Sequence, residues 1–118
     1  MAKILVVEDD ADFGALVLKV LSKRGHDVTV ITTGRGGIEH ALGSQTDLVL
    51  MDLRLPEIDG CDAAREIKAA KPGLPVVACS ANVMQADVDR AEAAGCDGFL
   101  GKPYQVSDLL SAVARFVP

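Results

Sequence analysis

The hydrophobic positions of this chain alternate between short apolar runs and segments with a helical period. Runs of four or five apolar residues are typical of strands buried on both faces of a sheet. Between these runs, apolar residues recur every three or four positions, as they do in amphipathic helices. We predict five strands, at 3–7, 26–31, 48–51, 75–79 and 99–101. We predict five helices, at 10–24, 34–42, 61–71, 84–94 and 106–116.

Regular alternation of strands and helices predicts a single α/β domain over residues 1–118. Right-handed crossovers then produce a five-stranded parallel sheet with helices on both faces. Five strands fit the doubly wound, flavodoxin-like order 2-1-3-4-5, whose switch point lies between the first and third strands. We find no internal repeat, linker or low-complexity segment in the sequence.

Two details of the helices and loops can also be predicted. In the first helix, one apolar stripe should face the sheet, formed by Phe13, Leu16, Val17, Val20 and Leu21. Gly25 should end this helix, and Gly60 should adopt a backbone conformation that other residues resist.

Composition narrows the classes of function. The formal net charge is −5 and no run of Lys or Arg exceeds two residues, which argues against nucleic-acid binding. No apolar run approaches about 20 residues and no signal peptide is evident, so we expect a cytoplasmic protein. The three cysteines are widely spaced and lack a metal-binding motif, so we predict ordinary thiols. The two histidines also lack a partner motif.

Polar side chains follow four of the predicted strands at the point where each strand ends. Glu8 and Asp9 follow the first strand, Asp52 the third, Ser80 the fourth and Lys102 the fifth. The carboxyl ends of parallel strands meet at the edge of the sheet where ligands bind. The sequence therefore predicts a site containing three carboxylates, one hydroxyl and one ammonium group.

This set of groups has the chemistry of a metal ion and a phosphoryl group. Crowded carboxylates resist ionisation, and Mg²⁺ relieves that penalty because it binds carboxylate, water and phosphate oxygens. Asp52 is then a candidate nucleophile. Lys102 can neutralise the phosphoryl oxygens, and the Ser80 hydroxyl can donate to them.

Each of these residues also has an ordinary structural explanation. Glu8, Asp9 and Asp10 suit a helix N-terminus, and Ser80 suits a helix cap. Lys102 alone is an unremarkable surface lysine. The coincidence of these groups at one sheet edge favours the functional interpretation, while Asp10 is assigned to the helix start.

The same residues, together with Gly60, Ala81 and Pro103, resemble the receiver domain of bacterial response regulators. The resemblance covers the whole chain and implies that Asp52 accepts a phosphoryl group from a phosphohistidine. The donor would be a sensor histidine kinase or a phosphotransfer protein. The resemblance further implies that Mg²⁺ is bound by Glu8, Asp9, Asp52 and the backbone carbonyl of Arg54.

The resemblance also implies how phosphorylation becomes a signal. Lys102 would pair with the phosphoryl group, and the Lys102–Pro103 peptide bond is often cis in this family, which would aim the lysine into the site. Ser80 and Phe99 match the switch pair. The surface of the fourth helix, fifth strand and fifth helix would bind a downstream protein or a second copy of the chain. In this family, the side chains at the positions of Arg54 and Asn82 influence the lifetime of the phosphorylated state.

The residues of the site also bear on alternative functions. A receiver domain catalyses only its own phosphorylation and dephosphorylation, so an enzyme is not expected. A phosphatase of the haloacid dehalogenase type needs a second acid where Arg54 stands. A flavodoxin-like redox protein needs a loop that binds phosphate, which Glu8, Asp9 and Asp10 would repel. A phosphate sink and a receiver excised from a hybrid kinase remain open, although the beginning and end of the chain favour a stand-alone protein.

Overall fold

A computed structural model describes residues 2–81 and 84–117, which form one parallel sheet flanked by helices. The strand order is β2-β1-β3-β4-β5, which confirms the predicted topology. Asn82 lies outside the described residues. The strands are β1 Lys3–Val7, β2 Asp27–Ile31, β3 Leu48–Asp52, β4 Val76–Ser80 and β5 Gly98–Gly101. The helices are α1 Ala11–Lys23, α2 Gly34–Gly43, α3 Gly60–Ala70, α4 Gln85–Ala93 and α5 Val106–Phe116.

The sheet separates two hydrophobic cores because successive strand side chains point to opposite faces. All five residues of β3 are buried. Val49 and Met51 belong to the core that includes residues of α2, α3 and α4. Leu48 and Leu50 belong to the core that includes residues of α1 and α5. A strand covered on both faces leaves Asp52, its last residue, at the carboxyl edge of the sheet.

Helix α1 begins and ends with the expected signals. The Asp10 side chain caps it by accepting hydrogen bonds from the backbone N–H groups of Asp12 and Phe13. Gly25 follows the helix with a φ of +88°, a conformation that favours glycine. The predicted apolar stripe is wrong at Leu16, which is 51% exposed. The buried face of α1 is narrower than the apolar pattern suggested, because the next residue, Val17, occupies the position against the sheet.

The loop between β3 and α3 contacts the start of α2 and folds back closely on the end of β3. The Glu57 carboxylate accepts the backbone N–H groups of Gly34 and Arg35 at 2.8 and 3.1 Å, which joins the loop to the start of α2. The prediction that Gly60 adopts an unusual backbone conformation is wrong, because the φ angle of Gly60 is not positive. A Cβ at this position would lie 2.2 Å from the backbone oxygen of Asp52, so glycine is required by close approach.

Within the described ranges, no helix is long and apolar enough to cross a membrane.

Candidate functional site

Three carboxylates meet at the carboxyl edge of the sheet. Glu8 and Asp9 follow β1, and Asp52 ends the neighbouring strand β3. One carboxylate oxygen from each lies within 4.8 Å of the others. Glu8 and Asp52 are buried, whereas Asp9 is exposed to solvent. This cluster of hard oxygen donors is suited to a divalent cation such as Mg²⁺.

Lys102 reaches into this cluster from the loop after β5. Its ammonium group donates a short hydrogen bond to Oε1 of Glu8 and lies 3.4 Å from Oδ2 of Asp52. The Lys102–Pro103 peptide bond is cis, as the sequence resemblance implied. The structure therefore places the predicted ammonium group within ion-pair distance of two of the three predicted carboxylates.

Burial and neighbouring charges shift the pKa values of Glu8 and Lys102. Burial raises the pKa of Glu8 to about 6, while its bond to Lys102 opposes the shift and the proximity of Asp52 adds to it. For Lys102, burial disfavours the charged form, but the bond to Glu8 and the charge of Asp52 outweigh burial and raise its pKa. A cation near Glu8 would favour the ionised carboxylate.

The Asp52 carboxylate is oriented by the chain that follows it. Its Oδ1 accepts the backbone N–H of Arg54 at 3.0 Å. Oδ2 is the oxygen nearer to Lys102. The residue at position 54 is exposed, and a bridge to Asp59 pairs its backbone with the start of α3. One carboxylate oxygen of Asp52 is therefore bonded to the backbone, and the other faces the ammonium group.

Ser80 and Phe99 lie on neighbouring strands beside this cluster. Ser80 ends β4 and is buried, and its backbone oxygen accepts the N–H of Lys102 at 2.7 Å. Phe99 is in β5, half-buried, and packs against the core on the α3 and α4 side of the sheet. Its neighbour Leu100 packs on the opposite side, as successive residues of a strand do. Phe99 also lines a cavity of about 90 Å³ together with Val88 and Ala91 of α4.

Two aromatic residues near Lys102 were not predicted as part of the site. The Phe13 ring centroid lies 4.7 Å from the Lys102 ammonium nitrogen, and the Tyr104 ring packs edge-to-face with the Phe13 ring. The sequence pattern predicted Phe13 only as a member of the apolar stripe of α1. The available signal was the position of Tyr104, the single tyrosine of the chain, two residues after Lys102.

Comparison with known proteins identifies the family. A family model described as the response regulator receiver domain matches residues 4–114. The chain belongs to the response regulator receiver domain family. Receiver domains of two-component systems are signalling switches controlled by phosphorylation, rather than classical enzymes. They interact with histidine kinases and with downstream targets.

Individual relatives of this receiver domain agree with that assignment. It is 36% identical to the chemotaxis protein CheY of Thermotoga maritima, over 98% of each chain. It is 32% identical to the receiver domain of a sensor histidine kinase from Pseudomonas aeruginosa PAO1, with a TM-score of 0.90. That alignment covers 98% of this chain and 96% of the other, whose structure contains a magnesium ion coordinated in the active site cleft.

The receiver domain also matches parts of longer proteins. It is 31% identical to the response regulator ArlR of Staphylococcus saprophyticus over 96% of this chain but 51% of ArlR. It spans 4% of the hybrid signal transduction histidine kinase G of Dictyostelium discoideum. Similar domains thus account for nearly the whole length of CheY and for only part of larger signalling proteins.

Proposed function

We propose that this receiver domain accepts a phosphoryl group on Asp52 in a reaction that requires Mg²⁺. The observation that carries the proposal is the position of Asp52. Its buried carboxylate lies beside Glu8 and Asp9 and 3.4 Å from the ammonium group of Lys102. A nucleophilic carboxylate next to metal ligands and a cation is the arrangement that phosphoryl transfer requires.

The proposed metal ligands are those expected from the sequence. Asp9 and Asp52 would bind Mg²⁺ directly, Glu8 directly or through water, and the backbone carbonyl of Arg54 would complete the protein ligands. When bound, Mg²⁺ neutralises charge on the transferring oxygens. The magnesium ion reported in the similar receiver domain from Pseudomonas aeruginosa supports this assignment.

The transfer itself needs a nucleophile, a cation and a hydrogen-bond donor. A carboxylate oxygen of Asp52 attacks the phosphorus atom of a phosphohistidine, and the phosphorus–nitrogen bond breaks with its electron pair remaining on the imidazole. Lys102 stabilises the negative oxygens of the phosphoryl group. The Ser80 hydroxyl donates a hydrogen bond to one of these oxygens.

The donor in this proposal is a sensor histidine kinase or a phosphotransfer protein. The similarity to a receiver domain of a sensor histidine kinase supports that class of partner. The output is a protein contact rather than direct nucleic-acid binding, because the net charge is −5. In this proposal, residues 1–118 form one receiver domain.

Intact mass spectrometry tests the proposed reaction. After incubation with Mg²⁺ and acetyl phosphate, the protein should gain one phosphoryl group that is stable in acid and labile in base. Chelation of Mg²⁺ with EDTA should prevent the gain. Labelling that is equally fast in EDTA, or no labelling in Mg²⁺, would contradict the proposal.

The proposed switch connects the phosphoryl group to the surface of α4, β5 and α5. The phosphoryl group carries roughly two negative charges, in place of the single charge of the ionised Asp52 carboxylate. Ser80, at the buried end of β4, would move toward the phosphoryl oxygens. Phe99, which lines the cavity beside α4, would then rotate into the space that Ser80 vacates. The change alters the surface available to a downstream protein or to a second copy of this chain.

Ser80→Ala should therefore separate phosphorylation from its response. The variant should still accept a phosphoryl group but lose most of the conformational change in α4 and β5, because no hydroxyl follows the phosphoryl oxygens. Hydrogen exchange with and without beryllofluoride, a phosphoryl mimic, measures that change directly. In the wild type, self-association or partner affinity should change by about fivefold to a hundredfold.

Ser22→Ala is a suitable control because Ser22 is exposed at the far end of α1. It should respond to beryllofluoride as the wild type does. A response of full size in Ser80→Ala, or a response confined to α1, would show that this switch is not the one in use.

A further inference from the structure

Lys102 has an aromatic neighbour in addition to its two carboxylate partners. Its ammonium nitrogen lies 4.7 Å from the centroid of the Phe13 ring, within the range of a cation–π contact. Phe13 is in the first turn of α1, where its backbone N–H bonds to the Asp10 cap. The ring is thus attached to the same helix start that follows Glu8 and Asp9.

Tyr104 fixes the orientation of this ring. The two ring centroids are 5.2 Å apart and the planes meet at 75°, which is an edge-to-face arrangement. Tyr104 is two residues beyond Lys102, so the loop that supplies the ammonium group also supplies the contact that orients its aromatic neighbour. Both Phe13 and Tyr104 pack at the margin of the core between α1 and α5.

The aromatic contact differs from the carboxylate contacts in one respect. Glu8 is a proposed metal ligand, so its bond to Lys102 must weaken when it turns toward a cation. The face of the Phe13 ring carries no ligand atom for Mg²⁺, and its negative potential continues to attract the ammonium group. The ring can therefore restrain Lys102 while the carboxylates change partners.

We propose that Phe13 is a positioning residue that keeps the Lys102 ammonium group beside Asp52 during phosphorylation. This inference rests on the proposed phosphoacceptor role of Asp52. Phe13 acts through Lys102 and does not belong to the carboxylate cluster. Its replacement should change the rate of phosphorylation while leaving Mg²⁺ affinity unchanged.

Phe13→Leu should lower the rate of labelling by acetyl phosphate by about threefold to tenfold, the size of one partly buried cation–π contact. Phe13→Tyr, which keeps the aromatic face, should restore most of the rate. Mg²⁺ affinity, measured from the increase in melting temperature, should be the same in all three proteins. If Phe13→Leu does not fold, Phe13→Met gives the same comparison with a flexible apolar side chain.

Fluorinated phenylalanines at position 13 separate the electrostatic role from packing. One, two and three fluorine atoms change the size of the ring little but progressively weaken its negative face. We expect the labelling rate to fall stepwise along this series. The same series at position 116 is the control, because the Phe116 ring faces the Arg115 guanidinium group at 5.3 Å on α5.

A rate that does not change with fluorination would overturn the inference, as would a parallel loss of Mg²⁺ affinity in Phe13→Leu. A failure of the wild type to be labelled is a different result, because it would overturn the proposed function itself. A stepwise fall at position 13 with no trend at position 116 is the outcome that supports a positioning role.

Discussion

Asp52→Asn should abolish phosphorylation by acetyl phosphate. The substitution keeps the size of the side chain and an oxygen able to accept the Arg54 N–H bond, but it replaces the nucleophilic carboxylate by an amide. We expect the intact mass of the variant to remain unchanged under conditions in which every wild-type molecule gains a phosphoryl group. The effect is expected to be complete because no other carboxylate shares the position of Asp52 at the end of β3.

Asp47→Asn provides a matched control at the opposite end of the same strand. Asp47 precedes β3, and its carboxylate accepts the backbone N–H of Lys3 at 2.8 Å, a bond that asparagine can also accept. This variant should be labelled at the wild-type rate. Equal labelling of Asp52→Asn and wild type would show that the phosphoacceptor has been assigned to the wrong residue.

Mg²⁺ should raise the thermal stability of the wild-type protein, and Asp9→Ala should remove most of that increase. A ligand that binds only the folded state stabilises it by about 2.7 kcal/mol at a hundredfold excess over its dissociation constant. For a domain of this size, the melting temperature should rise by on the order of 10 °C. We expect binding in the micromolar to millimolar range.

Asp12→Ala is the control for Asp9→Ala because it removes the same charge from the same exposed region. Asp12 lies in the first turn of α1 and outside the carboxylate cluster. Its own stability can differ from wild type, but the increase caused by Mg²⁺ should be preserved. An unchanged melting temperature across a Mg²⁺ titration of the wild type would exclude the proposed metal site.

Glu8 connects metal binding to the position of Lys102. In the structure it bonds to Lys102 through one oxygen and accepts the backbone N–H of Asp10 at 3.2 Å through the other. A bound cation would compete with Lys102 for this carboxylate. Release from Glu8 would leave the ammonium group beside Asp52, where a phosphoryl group is expected to arrive.

The sheet and the carboxylate cluster could be predicted because the same feature of the sequence specifies both. A strand buried on both faces, such as Leu48–Asp52, is almost wholly apolar, so a charged residue within it can only stand at an end. Parallel strands bring their carboxyl ends together, and this rule alone predicts that Glu8 and Asp9 lie beside Asp52.

Other features depend on tertiary contacts that local sequence patterns do not contain. The periodicity of α1 cannot distinguish Leu16, which is exposed, from Val17, which is buried one position later. The close approach of Gly60 to the backbone of Asp52 depends on how the loop folds back. The contact of Phe13 with Lys102 joins residues far apart in the chain and depends on side-chain conformation.

Chemical mapping of the phosphorylated residue tests the central claim most directly. Borohydride reduces an aspartyl phosphate to homoserine, so the modified position is permanently marked in a peptide digest. After treatment with Mg²⁺ and acetyl phosphate, we predict homoserine at position 52 and at no other acidic position. Homoserine at Asp9 or any aspartate other than Asp52 would contradict the assignment, as would the 2-amino-5-hydroxypentanoic acid that reduction of a glutamyl phosphate such as one at Glu8 would leave. A phosphorylated protein that yields neither product would also contradict it.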